Sequence, residues 1–349
     1  MKLTEAREII EAAIKFNLNN TGGSNSSYIC PMMWSLPGLG KSTIMTDIIN
    51  DLGLQEIQVI AAQFDAGELG GFPLVDADTN TYIRARPFFM PTSGKGVIVC
   101  DELPQSPTAV QNVIAQLVNE RRIGEHFLPE GWTVICAGNP MSAKAGTNAM
   151  PSHLKDRLMH LEIDVDVETF REYALAKGFA PEITSYLNER PEWLMKFDPK
   201  VNASPSPRSW ERINTILGLD LSPVARDRAI EGYIGQGGVT DFSGYLRVWE
   251  KLPKFEAIME DPKGLAIPKE SMVLYALCSN IAHRANNNNV SKVIQYIDRF
   301  PNQEFTAFCV KDMLQRSPDL KANKEVQKWF FSTGRESVSY THLTLPTKA

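Results

Sequence analysis

The stretch Ser35-Leu36-Pro37-Gly38-Leu39-Gly40-Lys41-Ser42-Thr43 carries the residue types that hold a phosphate chain. Gly38 and Gly40 let backbone N–H groups approach and wrap an anion, and Pro37, Leu39 and Thr43 complete the binding loop. Lys41 offers a point charge to the β- and γ-phosphates. The Ser42 hydroxyl suits Mg²⁺, and the start of a helix favours negative charge. A second group follows in Gly96-Val97-Ile98-Val99-Cys100-Asp101-Glu102. An apolar run ending in two carboxylates describes a central parallel strand, and ligands of open α/β sheets bind at such ends. Asp101 is placed to hold Mg²⁺ through water, and Glu102 to orient or polarise an attacking water. Trp132 to Pro140 is another buried strand with a polar tip. If it lies beside the Asp101 strand, Asn139 reaches the γ-phosphate or the attacking water. Asn before Pro is also a common turn pair. Two arginines stand further on. Arg157 is either a surface charge or a group that reaches a nucleotide on a neighbouring subunit. Arg208 either faces a phosphate across a cleft or is a solvated charge near a helix start.

These residues need a scaffold, and the surrounding patterns supply one. Tyr28 to Trp34 is apolar, as a buried strand requires. Ser42 to Leu52 has helical spacing, with Ile44, Met45, Ile48 and Ile49 on one face. Thr4 to Phe16 predicts a helix capped by Thr4, with Ala6, Ile9, Ile10, Ala13 and Ile14 as its stripe. Gln55 to Phe64 predicts a second strand, Ser106 to Arg121 an amphipathic helix, Arg122 to Leu128 a short hairpin and Met159 to Ile163 a last strand. Asp65 to Gly94 is irregular and long enough to be functional or to hold its own hairpin. The plain alternative is that its aromatics Phe72, Tyr82, Phe88 and Phe89 pack on the core. From Val167 onward the patterns are helical, including Val224 to Tyr233 and Asp241 to Leu252.

The bulk properties bound the answer. At 349 residues, two or three domains are expected, and 43% hydrophobic with 22% charged content is ordinary for a folded chain. The net charge of −5 leaves no global basic field for nucleic acid or acidic membranes. The five cysteines form no CxxC pair, and Cys30, Cys100 and Cys136 sit in candidate strands as small hydrophobes, which suits a reducing cytoplasm. No run approaches membrane-span length, and the first residues lack an export pattern. Residues 336–349, ending in SVSYTHLTLPTKA, fit nothing before them; they resemble translated sequencing adapter and are set aside as non-native.

The order of phosphate loop, Asp-Glu strand, Asn-tipped strand, Arg157 and Arg208 resembles AAA+ ATPases, within them the MoxR-like and dynein-related group. That resemblance implies an α/β P-loop NTPase core with a parallel sheet flanked by helices over 1–165. It implies an all-α lid over 166–255 and a helical extension over 256–335. It makes Lys41 and Ser42 Walker A residues, Asp101 and Glu102 Walker B, Asn139 the first sensor, Arg208 the second, and Arg157 a trans-acting arginine finger. ATP and Mg²⁺ would be the ligands. The implied assembly is a homo-oligomeric ring, usually a hexamer, that remodels client proteins, often with a von Willebrand factor A-type partner. The 65–94 stretch would carry an insertion facing the ring pore. Ser35 departs from the usual first glycine, and Leu158 stands where Phe is frequent. Two alternatives are a nucleic-acid motor or helicase loader, against which the acidic balance speaks, and a module that assembles on ATP without hydrolysing it.

Overall fold

The computed structural model describes residues 1–20, 28–76, 78, 81–143 and 146–332. The 336–349 tail lies outside them. Two compact units are present: Met1–Thr169 with Phe197–Arg208, and Phe170–Lys196 with the residues from Ser209 on.

The first unit contains α1 (Leu3–Asn19), β1 (Cys30–Trp34), α2 (Lys41–Asp51), β2 (Gln55–Ile60), α3 (Ala66–Gly70), β3 (Pro73–Asp76), β4 (Thr81–Arg84), β5 (Gly96–Asp101), α4 (Thr108–Glu120), β6 (Arg122–Ile123), β7 (His126–Phe127), β8 (Trp132–Gly138), α5 (Ser152–Lys155) and β9 (Leu158–Glu162). Five strands form one parallel sheet in the order β2-β5-β8-β1-β9. Side-chain alternation divides the core into two layers. Met33, Val97, Val99, Ile135, Ala137 and Leu161 pack with the α1 and α2 stripes. Met32, Ile98, Cys100, Val134 and Cys136 pack with α3, α4 and α5. Both faces are covered, so the central strands read as continuous apolar runs. All five cysteines are free and buried.

The structure refines several expectations. The strand after α2 stops at Ile60 and turns into a 3₁₀ segment, Ala61–Gln63, rather than continuing to Phe64. Helix α1 starts one residue before Thr4; its N-terminus is closed instead by Glu5, which accepts from the Lys2 backbone N–H at 2.9 Å. The 65–94 stretch does hold a hairpin, β3–β4, in which Leu74 faces Ile83 and Val75 faces Tyr82. Of its four aromatics only Phe89 enters the core; Phe72, Tyr82 and Phe88 are exposed. The hairpin within Arg122 to Leu128 is present as β6–β7.

The second unit takes in α6 (Val167–Ala176, beginning in the first), α7 (Pro181–Glu189), α8 (Pro207–Leu217, beginning likewise), α9 (Pro223–Trp249), α10 (Phe255–Glu260), α11 (Ser271–Arg284), α12 (Val290–Ile297), α13 (Gln303–Arg316) and α14 (Lys324–Ser332). Tyr186, Trp210, Phe242 and Tyr245 form an aromatic cluster with ring centroids 5.0–5.5 Å apart. A second core runs from Phe255 to Trp329. The two helices expected between Val224 and Leu252 are present within α9 and meet at a kink at Gly235, with φ 71° and ψ 173°. Among the described residues no helix is long and apolar enough to cross a membrane.

Candidate nucleotide site

Register brings the polar tips together. Trp34 pairs with Gly138, so Ser35 and Asn139 leave the sheet side by side, and the Ser35 N–H donates to the Gly138 carbonyl at 3.4 Å. On the other side of β8, Cys100 pairs with Cys136, which sets Asp101 at the same edge. The loop from Ser35 to Gly40 then turns into α2. Gly38 and Gly40 have φ of 85° and 84°, values an L side chain rarely adopts. At Gly38 a Cβ would also meet Ser206 Oγ at 2.7 Å.

Lys41 begins α2, and its ammonium is held by protein oxygens. It donates to Asn139 Oδ1 at 2.8 Å and to Ser35 O and Oγ at 3.0 Å each. Ser35 is 4% exposed, and its hydroxyl donates in turn to Leu36 O at 3.1 Å. The residue that departs from the usual glycine thus supplies an extra acceptor for the lysine. Burial pushes the Lys41 ammonium down to about 8; Asp101 opposes that shift, Arg208 adds to it and Glu102 opposes it.

Ser42 Oγ donates to Asp101 Oδ2 at 2.7 Å, and Asp101 Oδ1 accepts from the Glu102 N–H at 2.8 Å. Glu102 adopts a left-handed conformation, φ 55° and ψ 30°, with its side chain exposed. A non-glycine residue there is strained, and such strain gathers at working sites. A hydroxyl and a carboxylate in contact beside a phosphate loop fit the two protein oxygens a Mg²⁺ ion uses. Among the described residues no group of three or more His, Cys, Asp or Glu could hold a metal by itself, so phosphates and water would complete the shell.

The remaining predicted residues divide. Arg208 belongs to the first unit, and its N–H donates to Gly38 O at 3.1 Å, so the 197–208 segment straps the phosphate loop. Its side chain is exposed. Pro37 and Leu39 line the half-buried loop, and Thr43 is exposed on the first turn of α2. Arg157 is not brought to this site. It lies exposed between α5 and β9, and its guanidinium shares no hydrogen bond or ion pair with a described residue.

Sequence reasoning missed Gln105 and Ser206. Gln105 ends the 3₁₀ turn Leu103–Gln105 after Glu102. With its Nε2 toward Glu102 O at 3.2 Å, its Oε1 lies 2.6 Å from Asn139 Nδ2 and 3.3 Å from the Asn139 backbone N. An amide in a short turn has no periodic signal. Ser206 sits in Pro205-Ser206-Pro207, whose only visible property is a turn.

No protein-family model matches the chain, and no curated protein sequence matches it. Among solved structures the chain is similar to the Thermotoga maritima RuvB Holliday junction branch migration motor, with 16% identity over 80% of this chain and 82% of that one, at a TM-score of 0.40. It is also similar to NtrX from Brucella abortus in complex with ADP, with 13% identity over 95% of this chain and 68% of that one, at a TM-score of 0.40. The fold class follows from the chain's own topology: a parallel P-loop NTPase sheet flanked by helices, with the phosphate loop after β1, the acid pair after β5, the Asn tip of β8 between them, and helices to the C-terminal side.

Proposed function

We propose that this chain is an ATPase of the AAA+ class that works as a homo-oligomeric ring, with nucleotide at subunit boundaries, to remodel a client protein. The observation that carries it is the convergence of Lys41, Ser42, Asp101 and Asn139 at the C-terminal ends of three adjacent strands. In this mechanism Lys41 leaves Asn139 and Ser35 for the phosphate oxygens, while the N–H groups of Gly38 to Ser42 line the same anion. Ser42 and Asp101 would hold Mg²⁺, which when bound neutralises phosphate charge. Glu102, raised into solvent by its left-handed backbone, orients the attacking water with Asn139. Arg208 senses the γ-phosphate from the strap. Arg157, exposed and uncommitted to any described residue, reaches a neighbour's site as arginine finger.

The exposed apolar residues of the β3–β4 hairpin support a role in gripping polypeptide at a ring pore. The aromatic cluster of α7 to α9 and the separate core from Phe255 onward support a lid over 166–255 and an extension over 256–335. The MoxR-like group and a von Willebrand factor A-type partner rest on the resemblance of the motif blocks. Five free thiols suit the cytoplasm.

Glu102→Gln tests the assignment. The variant is expected to bind ATP with wild-type affinity, to lose turnover by at least about 100-fold, within the range for lost acid–base and positioning groups, and to accumulate as assembled particles. Unchanged turnover would remove Glu102 from the reaction; no turnover in the assembled wild type would favour an ATP-dependent assembly module instead.

A further inference from the structure

We propose that Gln105 is a positioning residue that fixes which end of the Asn139 amide faces the nucleotide. This rests on the assignment of Asn139 to the reacting site. The Asn139 and Gln105 amides stand between two groups whose hydrogen-bonding character is not adjustable. Lys41 is an ammonium and only donates; the Glu102 carbonyl only accepts. The 2.8 Å bond from Lys41 therefore requires Asn139 Oδ1 on the phosphate-loop side. Asn139 Nδ2 then points away from it, and the Gln105 amide atom 2.6 Å away must be the oxygen, because two amide nitrogens would set donor against donor. Gln105 keeps its own amide the right way round by donating from Nε2 to Glu102 O at 3.2 Å. Each amide has one donating and one accepting end, so the relay Lys41–Asn139–Gln105–Glu102 has a single polarity.

The turn has little freedom to relax from this arrangement. It is pressed against the end of β8, where a Cβ on Gly138 would run into the Pro104 ring. Leu103 and Pro104 are buried beneath it. When phosphate oxygens take over the Lys41 donors, Asn139 keeps its Nδ2 on Gln105 and is left with a vacant acceptor, Oδ1, at the sheet edge. An acceptor there can take a hydrogen bond from a water O–H. It cannot donate to a γ-phosphate oxygen. Gln105 thereby presents the Asn139 oxygen, rather than its amide nitrogen, on the phosphate-loop side, the end suited to hold the attacking water, although Gln105 itself need not touch that water.

The test uses the full chain in Gln105→Met, which removes all three side-chain hydrogen bonds at similar volume, and Gln105→Glu, which keeps an acceptor for Asn139 Nδ2. Gln105→Met is expected to lower kcat for ATP by about fivefold, the scale of one lost hydrogen bond, with KM within about twofold. Gln105→Glu is expected to recover part of that loss, since one carboxylate oxygen keeps the bond from Asn139 Nδ2 while the other faces the Glu102 carbonyl with no proton to donate. In an Asn139→Ala background Gln105→Met is expected to cost nothing further. An equal loss in both backgrounds, or equal damage from Met and Glu, would overturn the proposal in favour of a merely structural turn. A second readout is independent of turnover: the side-chain amide NMR signal of Asn139 in nucleotide-free protein, identified by its loss in Asn139→Ala. It is expected to shift in Gln105→Met and to stay near its wild-type position in Gln105→Glu. A shift in a protein without turnover would leave the positioning intact and remove the ATPase assignment. An unmoved signal would remove the positioning whatever the turnover.

Discussion

Lys41 has exchanged water for the oxygens of Ser35 and Asn139, and the exchange leaves its ammonium titrating near 8 instead of at its ordinary 10.5. The sign of the consequence follows from linkage. Below about pH 8 the free protein already carries the charge that phosphate needs. Above it the free protein has lost that proton while the phosphate-bound form, with its anionic partner, keeps it. Binding must then take up a proton. ATP affinity is expected to be flat between about pH 7 and 8 and to weaken above that, approaching about tenfold per pH unit. Calorimetry in two buffers of different ionisation heat, at about pH 7.5 and 9, reads the proton directly. Lys41→Arg, which stays charged, is expected to abolish the uptake. A wild-type affinity that does not move between these pH values would mean that Lys41 keeps its proton in the free protein.

Among the elements, α9 is two helices meeting at a kink, as the helical spacing of Val224 to Tyr233 and of Asp241 to Leu252 leads one to expect. The structure shows helix on both sides of one residue with φ 71° and ψ 173°, a region essentially reserved for glycine. Gly235→Ala is expected to destabilise the second unit by about 1–3 kcal/mol and to lower its melting temperature by several degrees. Thermal scans of the variant against Gly232→Ala, where a Cβ meets nothing within 4 Å, separate the backbone effect from helix propensity. Strands β5 and β8 were legible for the opposite reason. Burial on both faces forces apolar runs, and the sudden appearance of Asp101 or Asn139 at their ends marks where the sheet stops and chemistry starts. The phosphate loop was legible because positive φ at Gly38 and Gly40 admits almost no other residue. Gln105 and Ser206 were not, because each meets the site through a residue distant in sequence, Asn139 and Gly38. The exposure of Phe72, Tyr82 and Phe88 could not be read from type alone, since aromatic residues favour the core, and of the three only Tyr82 lies on a strand of the hairpin.

For the molecule as a whole, the site within one chain has its phosphate loop, acid pair and Asn tip but not Arg157. Turnover per chain is accordingly expected to rise with protein concentration. Arg157→Ala is expected to lower it by about 10³-fold or more while ATP binding persists. Mixing Arg157→Ala with Glu102→Gln should restore part of the activity, since each supplies what the other lacks across a boundary. Steady-state assays over a dilution series check this; turnover strictly proportional to protein and indifferent to Arg157 would mean that one chain is enough. A different consequence follows from the strap. The sheet is complete once β9 ends at Glu162, yet Ser206 and Arg208, which close over Gly38, arrive only after a segment of the second unit has been made. On the ribosome the chain emerges in that order. A nascent first unit can therefore assemble its sheet while its phosphate loop still lacks a wall, and the finished site waits for a chain already committed to building both halves.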